Sequence, residues 1–209
     1  INLVANTWGL QNIKAGDEII LSYGEHHANI VPWQELAIRT GAIVKVLPLD
    51  ATGKIQVDEL EQWITSKTKL VCINHISNVL AKINSIKTII NKAKTVGAAT
   101  LIDGAQAVAH IPVDVQQLDC DFYVFSAHKM YGPTGVGVLY GRRSILEAMP
   151  VYQTGGEMIE KVSFSGSSFN KLPFKFEAGT PNISGVIGFG QAIDFINEFK
   201  LIDDSQYER

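Results

Sequence analysis

The sequence is poor in cysteine, in long apolar runs and in blocks of like charge. Two cysteines, Cys72 and Cys120, occur in 209 residues, both in apolar, strand-like stretches. Two thiols so placed make neither a disulfide framework nor a metal cluster, and a reducing cytoplasm is the expected setting. The longest stretch without a charged residue covers 178–193, and its 16 residues include Pro181 and four glycines. A membrane-spanning helix needs about 20 apolar residues, so none is predicted. Lys and Arg number 18 against 21 Asp and Glu, a net charge of −3 with no basic block. That balance gives no electrostatic reason to expect nucleic acid or an anionic membrane as partner. Fixed-period repeats, low-complexity tracts and a signal-peptide pattern are missing too. What is present, 46% hydrophobic and 19% charged residues, is the composition of a folded globular protein.

Strand-length apolar runs alternate with stretches of helical period. Strands are predicted at 18–23, 43–47, 69–73, 98–102, 122–125 and 136–140, and helices at 29–41, 57–65, 83–96 and 184–199. In the first of these helices Val31, Leu36, Ala37 and Ile38 are expected near one face, with Pro32 in the first turn, where its missing N–H is no loss. Alternation of this kind predicts an α/β fold, three layers with a mainly parallel sheet. From Tyr152 to Pro181 the pattern loosens into a Gly/Ser-rich irregular stretch, and so long a loop inside a domain is usually functional. The segment Ile1 to Ala5 reads as the interior of an amphipathic helix, and 201–209 ends in a polar stretch. The expected organisation is one large domain over 1–200, cut at both ends, with 201–209 opening a connection to a further small domain.

Ligands of open α/β sheets sit where the carboxyl ends of the strands meet the following loops. Three predicted strands end in reactive residue types: Asn74-His75-Ile76-Ser77-Asn78, Asp103-Gly104-Ala105-Gln106, and Ser126-Ala127-His128-Lys129. Lys129, just past a buried strand, is placed for partial desolvation and nucleophilic use. An isolated lysine on a loop is usually a surface group and an isolated aspartate usually a cap. The pair carries more than either residue alone. A Schiff-base lysine with a carboxylate that keeps a pyridine nitrogen protonated is the protein's half of pyridoxal phosphate chemistry. Ser126 and His128 beside the lysine suit a phosphate.

Three blocks carry a family resemblance: 102–108, Asp119 to Tyr123, and Ser126-Ala127-His128-Lys129-Met130-Tyr131-Gly132-Pro133-Thr134-Gly135-Val136-Gly137. Together they resemble the class V aminotransferase-like enzymes of the fold-type-I pyridoxal phosphate group. Glu25-His26-His27-Ala28-Asn29-Ile30-Val31-Pro32-Trp33-Gln34 and 176–182 resemble, within that group, the group II (sulfur-mobilisation, SUF-type) cysteine desulfurase / selenocysteine lyase family. The resemblance implies a homodimeric transferase that takes L-cysteine to L-alanine and passes sulfur as a persulfide to an acceptor protein for iron–sulfur cluster assembly. It implies pyridoxal 5'-phosphate as cofactor and no metal. Selenocysteine lyase, another class V enzyme, or an incomplete core that binds cofactor or dimerises without turnover are the alternatives.

Carried over by position, the resemblance implies that Lys129 holds the cofactor covalently and moves the α-proton. Asp103 would pair with the pyridine nitrogen, and Gln106 with the phenolic oxygen. His26 would stack on the ring and assist proton transfer. Ser126 and His128 would bind the phosphate, Thr180 would reach the neighbouring subunit's phosphate, and Asn78 would sit near cofactor and substrate carboxylate. His27 is expected to pack or to cap the following helix, and His75, His110 and Cys120 to be structural. Ala81-Lys82 departs from the family's glycine-containing loop, Ala127 stands where Gly is common, and Thr154 replaces a glycine. Neither cysteine matches the family's sulfur-attacking thiol, which is expected outside these residues.

Overall fold

A computed structural model describes residues 1–199 and 201–202; of the expected connection over 201–209, residues 203–209 lie outside the described residues. Six strands form the central sheet: β1 (Glu18–Ser22), β2 (Ile43–Leu47), β3 (Thr68–Asn74), β4 (Ala99–Asp103), β5 (Phe122–Ser126) and β6 (Gly137–Gly141). Their order is β2-β1-β3-β4-β5-β6. Every neighbouring pair is parallel except β5 and β6, which run antiparallel with Ser126 opposite Gly137. All six predicted strands are present, with ends shifted by one residue at most.

Alternation along the inner strands builds a core on each face of the sheet, because successive side chains point to opposite sides. Ile20, Val71, Ile73, Ile102 and Tyr123 face one way, onto Ile86, Ile89, Ile90 and Ala93 of the helix Ile86–Thr95. Ile19, Leu21, Leu70, Cys72, Leu101 and Phe122 face the other way, onto Val4, Ala5, Trp33 and Leu36. The expected three layers follow directly. A third cluster joins Ala127 and Met130 to Phe189, Ala192 and Ile196 of the helix Ile183–Glu198.

Two details depart from the periodicity. In the helix Val31–Thr40 the buried residues are Pro32, Trp33 and Leu36, while Val31 and Ile38 are exposed. Trp33 and Leu36 are fully buried in the core on this face, and the Trp33 indole N–H donates to Asn29 Oδ1 at 3.0 Å. The irregular stretch after Tyr152 contains a hairpin of β7 (Ile159–Ser163) and β8 (Gly166–Phe169), paired antiparallel. The chain opens with consecutive helical turns, Asn2–Val4, a π-helical Ala5–Gly9 and Leu10–Asn12, as the first five residues predict. No helix among the described residues is long and apolar enough to cross a membrane.

Candidate active site

The carboxyl ends of β4 and β5, the start of β6 and the turn after β1 surround one cavity of about 1160 Å³. Of the eight site residues predicted from sequence, His26, Asp103, Ser126, His128 and Lys129 line it. Asn78, Gln106 and Thr180 do not. Asn78 is exposed on the loop after β3, Gln106 is half-buried in the turn after β4, and Thr180 is exposed ahead of the helix Ile183–Glu198.

Each cavity group is placed by buried neighbours. Lys129 closes the 3-10 turn Ala127–Lys129 directly after β5. Ala127 and Met130 on either side of it are buried against Phe189, so packing fixes the turn while His128 and Lys129 face the cavity. Gly132 N–H closes the turn onto Ala127 O at 2.9 Å. A Cβ at Gly132 would lie 2.9 Å from that same oxygen, so the turn has no room for a side chain there.

Asp103 ends β4 and is buried. Its Oδ1 accepts the Ala105 N–H at 2.9 Å, and its carbonyl accepts the His75 N–H at 2.8 Å. The next residue must be glycine. A Cβ on Gly104 would lie 2.0 Å from Cε1 of the Tyr123 ring. The Tyr123 hydroxyl in turn meets His75 Nδ1 at 2.9 Å. Burial pushes the His75 imidazole down to about 4, so it is a neutral core group, as expected from its lack of a motif role.

His26 is exposed, and its Nδ1 accepts the Ala28 N–H at 3.1 Å, capping the short helix His27–Asn29. The capping expected of His27 is therefore made by His26, because the residue preceding the turn presents its ring to the free N–H groups. His27 lines the cavity instead. Beneath this turn lies Glu25, buried, with Oε1 accepting from Ser22 Oγ at 2.5 Å and from Asn74 N–H at 3.1 Å. Its Oε2 accepts from Asn29 Nδ2 at 2.7 Å. Burial pushes the Glu25 carboxyl up to about 7 against these donors, and nearby Asp103 adds to the rise.

Sequence reasoning passed over Glu25, and also Asn6, Glu35 and Arg39, which line the cavity's outer wall. Arg39 Nη1 donates to Asn6 Oδ1 at 2.9 Å across two helical segments. Polar residues on a helix carry no signal in sequence that separates a cavity wall from a solvated face. Cys72 and Cys120 are both fully buried, and burial pushes both thiols up, Cys120 to about 11. Neither lines the cavity.

The chain is similar to several known proteins. Cysteine desulfurases of Shigella sonnei and of Escherichia coli K12 are each 52% identical over 210 aligned positions, which cover all of this chain and 52% of theirs. The chain thus spans about half the length of the curated relatives it matches. The crystal structure of the cysteine desulfurase CsdA from Escherichia coli superposes with a TM-score of 0.94 at 45% identity, covering 96% of this chain and 50% of that one. A structure of the cystine C-S lyase C-DES with its reaction product cysteine persulfide superposes at 0.84 and 26% identity, over 94% and 53% of the two chains. The family model for class-V aminotransferases matches residues 1–209, so the chain belongs to the class-V aminotransferase family.

Proposed function

We propose that this chain is the cofactor-holding half of a pyridoxal phosphate-dependent cysteine desulfurase of the group II type. The observation that carries the proposal is the donor set gathered in one cavity: an amine, a buried carboxylate, a hydroxyl and imidazoles. That set fits a phosphorylated pyridine aldehyde. Lys129 suits the aldehyde carbon, Asp103 the ring nitrogen, Ser126 and His128 the phosphate, and His26 the ring face. Pyridoxal phosphate, when bound, supplies the electron sink that stabilises a carbanion at the substrate's Cα.

The chain's own groups do the rest. The Lys129 amine takes the proton from Cα and returns one later, from a turn held rigid by Ala127 and Met130. Asp103, fixed by Ala105 N–H, keeps a positive charge on the group it faces. In the overall reaction the Cβ–S bond of L-cysteine breaks, the sulfur joins an enzyme thiol as a persulfide, and Cβ gains a proton to give L-alanine. Cys72 and Cys120 are sealed in the core, so we assign that thiol to the remainder of a longer protein. The group II assignment rests on the block His26-His27-Ala28-Asn29 and on 176–182. With it come a homodimer in which Thr180 reaches the neighbouring subunit's phosphate, Gln106 at the phenolic oxygen and Asn78 near the substrate carboxylate, a protein acceptor of the persulfide in iron–sulfur cluster assembly, and L-selenocysteine as a second substrate.

The full-length protein loaded with pyridoxal phosphate is expected, with a dithiol present to reduce the persulfide, to form alanine and sulfide in equal amounts from L-cysteine. Lys129→Ala is expected to lower that rate by about 10³-fold or more. No alanine from the full-length enzyme, or an undiminished rate in Lys129→Ala, would overturn the proposal.

A further inference from the structure

A buried carboxylate directly under the cavity has no part in the reaction described above. Glu25 lies between Gly24 and His26, and its three partners are all donors on different elements. Ser22 Oγ comes from the end of β1, Asn29 Nδ2 from the short helix after His26, and Asn74 N–H from the end of β3. Both asparagine partners are themselves anchored. Asn29 Oδ1 accepts the Trp33 indole N–H at 3.0 Å, and Asn84 Nδ2 donates to Asn74 O at 2.9 Å and to Asn74 Oδ1 at 2.7 Å. Asn74 Nδ2 also donates to Gly24 O. The residue after Asn74 donates its N–H to the Asp103 carbonyl at 2.8 Å. One side chain therefore ties the turn carrying His26 to the strand ends that carry Asp103.

We propose that Glu25 is the positioning residue for His26, holding the His26–Asn29 turn against β3 so that the imidazole faces the cofactor. The proposal rests on the pyridoxal phosphate assignment of this cavity. The alternatives at position 25 are few, because a glutamine cannot replace the carboxylate. Whichever way its amide turns, the NH2 group meets either the Asn74 N–H or the Asn29 NH2, and two donors face each other. The burial of Glu25 makes that mismatch costly. A purely structural role would loosen the domain as a whole. A positioning role acts through His26, and its effect vanishes when His26 has no ring to position.

The test is a double-mutant cycle in the full-length protein, comparing the native sequence with Glu25→Gln, His26→Ala and the double variant. Two quantities are read: the dissociation constant for pyridoxal phosphate, and the absorbance maximum of the bound cofactor. Glu25→Gln is expected to weaken cofactor binding about tenfold and to shift the band. In the His26→Ala background the same change is expected to shift neither by more than about twofold or a nanometre or so. Equal effects of Glu25→Gln in both backgrounds, or no effect in either, would overturn the proposal. If Glu25→Gln does not fold, Ser22→Ala, which removes one of the three donors, carries the same cycle with a smaller shift. Failure of the native protein to bind pyridoxal phosphate at all would instead remove the assignment on which the proposal stands. The His26 ring resonances of the cofactor-free protein then decide it alone: they move in Glu25→Gln if Glu25 places the ring, and stay fixed if it does not.

Discussion

At Gly104 the space for a side chain is already taken. Tyr123 Cε1, Cζ and OH would all fall within 2.3 Å of an added Cβ, a separation that real atoms do not reach. Gly104→Ala must push the Tyr123 ring out of the core and break its contact with His75, so a loss of about 3 kcal/mol in folding stability is expected. Thermal or urea unfolding checks it, and an unchanged midpoint would show that β4 and β5 yield more easily than the packing suggests. A second residue works in the opposite direction. Ala81 has φ +50°, a left-handed conformation that glycine adopts freely. It sits in a closed loop in which Ala81 N–H donates to Ser77 O at 3.0 Å and Ser77 N–H to Lys82 O at 3.0 Å. Ala81→Gly is expected to raise stability by about 0.5–1 kcal/mol, a rise in melting temperature readable by calorimetry. The departure from the family's glycine-containing loop was visible in the sequence; the strain it carries was visible only in the backbone.

The elements divide by how their side chains are buried. β1, β3, β4 and β5 are covered on both faces and stand out in the sequence as apolar runs. The hairpin β7–β8 is almost wholly exposed, rich in serine and glycine, and presents no apolar alternation, so periodicity has nothing to detect. The rotation of the helix Val31–Thr40 was hidden for another reason: full burial of Trp33 and Leu36, with the indole N–H satisfied by Asn29, outweighs the pattern of Val31 and Ile38. Tertiary hydrogen bonding also closes the helix Arg143–Ala148. Lys175 Nζ donates to the carbonyls of Leu146, Glu147 and Met149 at 3.3, 2.9 and 2.5 Å, satisfying orphan acceptors at the helix end. Lys175→Met, which keeps the chain length and removes the charge, is expected to cost about 1–2 kcal/mol. A change below a few tenths of a kcal/mol in chemical denaturation would mean that water replaces the ammonium there.

Across the whole molecule, two buried groups offset one another in acid. Glu25 rises from its ordinary value of 4.5 to about 7 through burial, and His75 falls from 6.5 to about 4 through burial. Between pH 4.5 and 6.5 the unfolded chain has released the Glu25 proton and kept the His75 proton. The folded chain holds a proton on Glu25 and none on His75. Proton counts therefore match, and this pair contributes no slope of stability with pH. Removing one member exposes the other. Glu25→Gln leaves His75, whose unfolded form binds the extra proton, so stability relative to the native sequence is expected to drop as pH falls across that window. His75→Gln leaves Glu25, and relative stability is expected to drop as pH rises. Each change amounts to about 3 kcal/mol over about two pH units. Denaturant unfolding at pH 4.5 and 6.5 reads both, and parallel pH slopes for the two variants would contradict the opposition.

At the same scale, the parallel sheet and four of the cavity's residues, Asp103, Ser126, His128 and Lys129, were legible because strand-end motifs are local, and His26 was legible through the resemblance of 25–34. The contact of Glu25 with Asn74 joins residues 49 positions apart and could not be read from the chain alone. The central claim is that Lys129 is the group that holds the cofactor, and one measurement tests it most directly. The full-length protein is incubated with pyridoxal phosphate, reduced with borohydride, digested and mapped by mass spectrometry. A stable pyridoxyl adduct on the peptide containing Lys129, absent in Lys129→Ala, is the result expected. An adduct confined to another lysine, or none, would contradict the account.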